Sequence, residues 1–234
     1  TLLARDRAAG AREIERAAEA GGGAGAQADV IVMDDGLQNP QLAKDLTLAV
    51  VDGSRGLGNG RVMPAGPLRA PLAFQLGLID AIVVNAPSSI VGSAVYDWLM
   101  QRFKGPILRC ATVVAGDAEW LQGRRVVAWA GIGAPQRFFA LLRSLGAAVV
   151  ETVAFGDHQR LVETDARRLL AAAGQRRAVL VSTTKDMARL KGATGVLADL
   201  AAATRMLPIG LQFPAPDAER LAALIAGVLR ARPG

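Results

Sequence analysis

Residues 126–145 read VVAWAGIGAPQRFFALLRSL, and the order of residue types in this stretch indicates the fold class. Residues 126–130 form an unbroken apolar run, which is typical of a strand buried on both faces of a parallel sheet. A turn with two glycines follows, and Pro135 then opens a helical pattern in which apolar residues recur every three or four positions. Strand, turn and helix in direct succession are the repeating unit of α/β proteins.

The same alternation extends outward in both directions. On the N-terminal side the sequence predicts a helix around residues 91–103, a short strand after residue 106, and strands over residues 29–33, 46–51 and 81–84. On the C-terminal side it predicts strands over residues 148–154 and 178–182, and helices over residues 164–173 and 217–230. We therefore expect an α/β fold with parallel sheets and two domains, residues 1–118 and, with the C-terminal helix, residues 119–234.

The composition of the 234-residue chain excludes several classes of protein. Hydrophobic residues make up 51% and charged residues 21%, which excludes a disordered or collagen-like chain. Cys110 is the only cysteine and His158 the only histidine, which excludes a disulfide scaffold, a cysteine-rich zinc site and a multi-histidine metal centre. No apolar run approaches the roughly 18 residues that span a bilayer.

The chain is basic, with 27 lysines and arginines against 21 acidic residues. Most of the basic residues are arginines, whose planar guanidinium suits phosphate groups. The surplus fits anionic lipid headgroups, nucleotides or nucleic acid as partners, and an arginine-rich codon usage is the alternative explanation. Aromatic residues make up only 4% of the chain and do not alternate with the arginines, so stacking on single-stranded nucleic acid is disfavoured.

Two adjacent aspartates, Asp34 and Asp35, follow the predicted strand over residues 29–33. Ligands of open α/β sheets bind beyond the carboxyl ends of the strands, and two neighbouring carboxylates there favour a cation such as Mg²⁺. One aspartate would hold the metal while the other orients a reacting group. The alternative is an ordinary Asp-Gly turn.

Residues 53–71 form a long Gly- and Pro-rich segment that contains Arg55, Arg61 and Arg69. Long loops in compact domains are usually functional, and arginines beside glycines can bind phosphate or carboxylate groups; a solvated loop is the alternative. His158 follows a predicted strand end and titrates near neutral pH, with a purely structural histidine as the alternative.

Two nucleotide-binding signatures are incomplete or absent. Gly131-Ile132-Gly133 is similar to the start of a dinucleotide fingerprint, but Gln136 occupies the position of the third glycine. We therefore expect close packing of strand and helix there. The sequence contains no Gly-x-x-x-x-Gly-Lys-Ser/Thr phosphate loop.

Six segments, in the same order, resemble the tetraacyldisaccharide 4'-kinase family, the lipid A 4'-kinases. Residues 30–39 (VIVMDDGLQN) resemble its Walker-B-like segment, and residues 50–69 (VVDGSRGLGNGRVMPAGPLR) resemble its most specific loop. The other four are residues 130–139 (AGIGAPQRFF), 155–158 (FGDH), 183–186 (TTKD) and 207–209 (LPI). The resemblance covers essentially the whole chain.

The resemblance implies a P-loop-kinase-like α/β core, incomplete in this chain, with a second and smaller α/β domain. It implies transfer of the ATP γ-phosphate, with Mg²⁺, to the 4'-hydroxyl of a lipid A disaccharide precursor at the cytoplasmic face of the bacterial inner membrane. The implied partners are this precursor and an anionic membrane surface, with neither nucleic acid nor a protein partner.

The resemblance also implies residue roles. Asp34 and Asp35 would bind Mg²⁺ and nucleotide phosphates, and Asp35 would also be catalytic. His158 would belong to an acid/base pair that handles the acceptor hydroxyl. The residues implied to contact substrate are Arg7, Arg55, Asn59, Arg61 and Arg69.

This sequence departs from the family pattern at several points. The family's N-terminal part, with a membrane anchor, the P-loop and the aspartate that partners the histidine, has no counterpart here, so we expect the chain alone to be inactive. Ala70 and Thr184 stand where the family usually has glutamates. The alternative function is a truncated, non-catalytic paralogue that binds a sugar phosphate or a lipid.

Overall fold

A computed structural model of the chain describes residues 2–20, 30–86, 94–157 and 159–231. Two units emerge from the contacts within it. Unit 1 consists of residues 1–111 and 212–234, and unit 2 consists of residues 112–211. Unit 1 is therefore discontinuous in sequence, whereas unit 2 is a single stretch of chain.

Helices and strands alternate along most of the described residues, as the sequence predicts. In chain order they are α1 (Arg7–Ala20), β1 (Leu48–Asp52), α2 (Leu72–Leu76), β2 (Ala81–Asn85), α3 (Ala94–Met100), β3 (Ile107–Val114), β4 (Arg125–Ala130), α4 (Pro135–Ser144), β5 (Ala148–Ala154), α5 (Glu163–Arg176), β6 (Val179–Thr183), α6 (Thr184–Arg189), α7 (Val196–Ala203), β7 (Thr204–Leu207), β8 (Ile209–Gln212) and α8 (Ala215–Ala231). Within the described ranges, no helix combines the length and the apolar character needed to cross a bilayer.

One sheet has the strand order β1-β2-β3-β8. β1 pairs in parallel with β2, with Leu48 opposite Ala81, and β2 pairs in parallel with β3, with Ile82 opposite Ile107. β2 lies between two neighbours and is buried from Ala81 to Val84, which explains its continuous apolar sequence. Two of its side chains, Ile82 and Val84, pack with Leu99 of α3.

The C-terminal helix α8 belongs to unit 1. Its Leu221 and Leu224 pack with Val83 of β2 and Leu108 of β3. The sequence-based division placed this helix with residues 119–234, and the packing corrects that assignment. The helical repeat of apolar residues shows that a helix has a buried face, but it carries no information about which sheet covers that face.

The second sheet, β5-β4-β6-β7, lies in unit 2, and its neighbouring strands are all parallel. Residues 126–130 of β4 are fully buried because helices pack on both faces. Phe139 and Leu142 of α4 cover one face, and Leu169 of α5 and Leu200 of α7 cover the other. Each such side chain contributes about 1.5–3 kcal/mol on burial, so β4 anchors the unit. The predicted parallel α/β architecture is confirmed.

The predicted strand over residues 29–33 is wrong in its described part, residues 30–33. Val30, Ile31 and Val32 are 55%, 41% and 88% exposed and lie in no strand. An apolar run forms a strand only where a neighbouring strand supplies backbone hydrogen bonds. Among the described residues, β1 pairs with β2 alone, and residues 30–33 have no such neighbour.

The other predicted elements are confirmed, with boundaries that differ by a few residues. Residues 148–154 form β5 as predicted, and the helix predicted around residues 91–103 is observed as α3. Residues 87–93, which include the start of that predicted helix, lie outside the described residues, as does residue 29.

Candidate functional site

Asp34 and Asp35 lie in a turn whose backbone is tightly constrained. Asp35 has a φ of 54°, in the left-handed region that residues other than glycine seldom adopt. A Cβ on the next residue, Gly36, would lie 2.8 Å from Cγ of Met33, so a side chain there would displace Met33. The Asn39 N–H donates to the Gly36 carbonyl at 3.0 Å and closes the next turn along the chain, over residues 36–39. The result is a fixed backbone that exposes two adjacent carboxylates.

Asp35 forms a two-pronged ion pair with Arg69. Nη1 of Arg69 donates to Oδ1 at 2.8 Å, and Nη2 donates to Oδ2 at 2.7 Å. The hydrogen bond and the charge of Asp35 raise the pKa of the Arg69 guanidinium above its ordinary value. The side chains are 54% and 63% exposed, for Arg69 and Asp35 respectively, so solvent screens the attraction and the pair adds little to folding stability. Its effect is to orient both groups.

The loop that carries Arg69 is ordered from its first residues. Oδ1 of Asp52, at the end of β1, accepts hydrogen bonds from the Ser54 N–H at 3.0 Å and the Ser54 hydroxyl at 2.8 Å. Further along, the Leu68 N–H donates to the Arg61 carbonyl at 3.1 Å. Leu68 is buried, which fixes the position from which Arg69 extends.

Asn59 has a structural role in this loop. Its Nδ2 donates to the Ala65 carbonyl at 2.7 Å, and its Oδ1 accepts from the Arg61 N–H at 3.1 Å. A Cβ on Gly66 would overlap Oδ1 of Asn59, so glycine is required at that position. By contrast, the exposed guanidinium groups of Arg55 and Arg61 have no hydrogen bond or ion pair with any residue that the structure describes.

Gln38 and Gln75 connect the aspartate turn to the arginine loop. Nε2 of Gln38 donates to Oε1 of Gln75 at 3.0 Å, and Nε2 of Gln75 donates to the Ala70 carbonyl at 2.6 Å. Gln75 is only 9% exposed, although it lies in the otherwise apolar helix α2. The sequence analysis missed this link. The available signal was a single amide in an apolar helix, which indicates a buried hydrogen-bond partner.

A cavity of about 670 Å³ in unit 1 adjoins these residues. Its walls are mainly the apolar side chains of β1, α2 and the loop, and its polar lining residues are Asp34, Asp35, Gln38, Arg69 and Gln75. The aspartates and the arginine therefore stand beside a space large enough for a small ligand.

The structure brings together three of the predicted site residues, Asp34, Asp35 and Arg69. Arg7 lies elsewhere: its Nη1 donates to the Ala4 carbonyl at 2.6 Å, and its backbone N–H donates to Oε1 of Gln41 at 3.1 Å. In the described part of the chain, no hydrogen bond or ion pair joins Arg7, Arg55, Asn59 or Arg61 to the aspartates. His158 lies outside the described residues.

Asp34 and Asp35 could serve as carboxylate ligands of a cation such as Mg²⁺. Within the described ranges, no group of three or more His, Cys, Asp or Glu residues could hold a metal. Mg²⁺ does not need such a group, because it is usually held by one or two carboxylates together with phosphate oxygens and water. Asp34 and Asp35 supply these two carboxylates, although both oxygens of Asp35 contact Arg69.

Asp186 organises the carboxyl edge of the sheet in unit 2. It is 2% exposed; its Oδ1 accepts from the Gly131 N–H at 3.1 Å, and its Oδ2 accepts from the Thr183 hydroxyl at 2.7 Å. Nη1 of Arg189 lies 3.2 Å from Oδ1 and donates to the Gly131 carbonyl at 2.7 Å. A Cβ on Gly131 would lie 3.2 Å from both groups. The close packing expected at Gly131-Ile132-Gly133 is confirmed.

The residue that precedes His158 is held at the same edge. Nζ of Lys185 lies 3.6 Å from Oδ1 of Asp157. A Cβ on Gly133 would lie 3.4 Å from Oδ2 of Asp157, which places this carboxylate against the turn after β4. The Asp157 carboxylate therefore lies near both Lys185 and the turn after β4.

The fold identifies the class of protein. The chain is similar in structure to LpxK from Aquifex aeolicus, solved in complex with ATP, with a TM-score of 0.56 and 22% sequence identity over 83% of this chain and 56% of that chain. At this identity the likeness concerns the fold alone, and the fold is an α/β fold of the P-loop-kinase-like class.

The sequence comparison is more specific. The model of the LpxK family, tetraacyldisaccharide-1-P 4'-kinase, matches residues 1–230. The chain belongs to this family, which confirms the resemblance found in the sequence.

Relatives called tetraacyldisaccharide 4'-kinase are similar over most of the chain. Those from Nitrobacter winogradskyi, Methylorubrum extorquens (strain PA1) and Rhodospirillum centenum are 44%, 46% and 43% identical to it. The alignments cover 88%, 86% and 96% of this chain, and 60%, 58% and 62% of the relatives. The chain thus spans about three-fifths of the length of these curated relatives.

Proposed function

We propose that the protein transfers the γ-phosphate of ATP to the 4'-hydroxyl of a tetraacyldisaccharide 1-phosphate. Family membership supports this reaction, and the relatives are named for it. The observation that carries the proposal is that Asp34, Asp35 and Arg69 line one cavity, with Asp35 paired to the guanidinium of Arg69. Phosphoryl transfer uses carboxylates that bind a metal ion and a positively charged side chain that binds a phosphate.

In the reaction, the acceptor oxygen forms a bond to the γ-phosphorus as the bond from that phosphorus to the β–γ bridging oxygen breaks. ADP leaves with the electron pair, and the hydroxyl proton passes to a base. Mg²⁺ held by Asp34 and Asp35 would neutralise charge on the phosphates. Arg69 would bind a phosphate oxygen through its two-pronged donor face once it is released from Asp35.

The other residue roles rest on the resemblance. We propose His158 as the acid/base group for the acceptor hydroxyl, and Arg7, Arg55 and Arg61 as substrate contacts. The guanidinium groups of Arg55 and Arg61 are exposed and have no hydrogen bond or ion pair with a described residue, which suits ligand binding. Asn59 would act indirectly, because its amide holds the loop. The net charge of +6 supports action at an anionic membrane surface, the cytoplasmic face of the inner membrane.

The test is transfer of ³²P from [γ-³²P]ATP to the disaccharide 1-phosphate with Mg²⁺ present. It is run on the 234-residue chain and on the product of the complete reading frame that contains it. Labelled product that disappears in the Asp34→Asn variant supports the proposal. Binding of the disaccharide without labelled product from either protein would overturn it and favour a non-catalytic sugar-phosphate-binding function.

A further inference from the structure

Unit 2 contains a cavity that the proposed kinase residues do not line. It has a volume of about 600 Å³, within the usual range of small-molecule pockets. Gly131 after β4, Phe155 after β5 and Asp186 after β6 all line it, so it opens at the carboxyl edge of the sheet. This is the edge at which parallel α/β sheets bind ligands.

Five charged residues line this unit 2 cavity, and two of them are cations without a described ionic partner. Of its two carboxylates, Asp186 pairs with Arg189 at 3.2 Å, and Glu163 pairs at 2.8 Å with Arg167, a residue that does not line the cavity. The other two charged lining residues are Arg160 and Lys191. Both are exposed, and neither has a hydrogen bond or ion pair with any described side chain.

The rest of the lining is rigid and largely apolar. Trp129 is fully buried and meets the ring of Phe155 edge to face, with 6.3 Å between centroids. The contacts of the buried Asp186 with the Gly131 N–H and with Arg189 hold the polar part of the lining in place. Leucines complete the apolar surface. The cavity thus combines an apolar floor with two exposed cationic side chains.

We propose that the unit 2 cavity binds a phosphate monoester. A phosphate monoester carries a charge of about −1.5 to −2 at neutral pH, which matches the two cations. A ligand with a single carboxylate would neutralise only one of them. Arg160 would grip two phosphate oxygens with its planar donors, and Lys191 would add a compact charge. The apolar floor would contact the organic body of the ligand.

The phosphate monoester could be a sugar phosphate or a nucleotide, and the chemistry at the phosphate is the same for both. The acceptor of the proposed reaction is itself a phosphate monoester; attributing the cavity to it rests on the proposed function. Phosphate binding in the cavity does not rest on that function.

The test is titration of the ¹⁵N-labelled 234-residue chain, without ATP, followed by ¹H–¹⁵N NMR. The probes are glucosamine 1-phosphate, AMP, inorganic phosphate and glucosamine, which carries no phosphate. We expect the phosphorylated probes to shift the amide signals of Gly131 and Gly192 and the indole signal of Trp129. Tighter binding of glucosamine 1-phosphate than of AMP identifies a sugar phosphate as the source, and the reverse identifies a nucleotide. Binding of inorganic phosphate as tight as that of both esters would contradict a site for a monoester.

Matched variants decide whether the cavity is responsible. The double variant Arg160→Gln/Lys191→Gln should weaken binding at least tenfold and leave the melting temperature unchanged, because both side chains are exposed. The control Arg143→Gln/Lys104→Gln removes the same charge from exposed positions outside the cavity.

Equal weakening in the control, or no phosphate-dependent shift at the cavity signals, would overturn the proposal. Phosphate binding in this cavity, together with no labelled product in the phosphoryl-transfer assay, would instead count against the proposed function alone.

Discussion

Two aspartate–arginine pairs in this molecule have the same chemistry and opposite settings. Asp35 and Arg69 in unit 1 are both more than half exposed, whereas Asp186 in unit 2 is 2% exposed and Arg189 is 26% exposed. The exposed pair restrains two side chains beside a cavity and contributes little to stability. The buried pair joins the turn after β4 to the helix after β6 and cannot lose one member cheaply. The exposed pair is therefore accessible to a ligand, whereas the buried pair stabilises the fold.

The largest effect should come from the carboxylates of the exposed site. Asp34→Asn and Asp35→Asn should each reduce the turnover of the active kinase on the order of 10²–10³-fold, because a neutral amide cannot hold Mg²⁺ where phosphate charge develops. Steady-state kinetics measure the loss, and urea unfolding should show an unchanged midpoint. Wild-type turnover in both variants would favour the ordinary Asp-Gly turn.

The second effect is on stability and belongs to the buried pair. Asp186→Ala should lower the free energy of unfolding of unit 2 by about 3 kcal/mol, because it leaves the Gly131 N–H and the Arg189 guanidinium without their buried partner. Urea denaturation measures it. The control is Asp35→Asn, which tolerates the left-handed backbone at this position and should leave the midpoint unchanged. Similar losses in the two variants would remove the distinction between the pairs.

A smaller effect should follow from changing the shape of the exposed cation while keeping its charge. Arg69→Lys cannot form the two-pronged contact with Asp35, so turnover should fall about tenfold while the fold is retained. The control Arg143→Lys, on an exposed face of α4, should have no effect. Full activity in Arg69→Lys would show that charge alone matters at this position.

The smallest effect concerns a buried group without a charged partner among the described residues, the thiol of Cys110, and the pH dependence of stability that its burial causes. Cys110 in β3 is 4% exposed, and burial raises the pKa of its thiol above the ordinary value. Its folded-state pKa therefore exceeds its unfolded-state pKa, so its contribution to stability is complete below about pH 8.5 and declines as the pH rises above that value. Urea midpoints at pH 7.5 and 9.5 should differ less in Cys110→Ala than in wild type. An identical pH dependence would contradict this.

Much of the fold follows from the sequence where local pattern and packing agree. The apolar run at residues 126–130 became the fully buried β4. The similar run at residues 30–33 formed no strand, because strand formation depends on a neighbour distant in sequence and not on the run itself. The assignment of α8 failed for a related reason, since its partner strands lie more than a hundred residues earlier.

The candidate site shows the same limit. Residue types and spacing indicated Asp34, Asp35 and Arg69 separately. The contact between Asp35 and Arg69 joins positions 34 residues apart and required the structure. Asp186 lies in a segment that the family resemblance includes, yet its role depends on a buried contact with Gly131, 55 residues away. The Gln38–Gln75 link was missed because neither residue is charged or nucleophilic.

The discontinuity of unit 1 makes the two units differ in how they tolerate loss of the C-terminal segment. All residues of unit 2 precede residue 212, so its sheet and core include no residue of α8. Val83 and Leu108, in contrast, are covered by the last segment of the described chain. A stop codon soon after residue 211 would therefore spare the unit 2 sheet and its cavity, and would leave an apolar face of β2 and β3 open to aggregation.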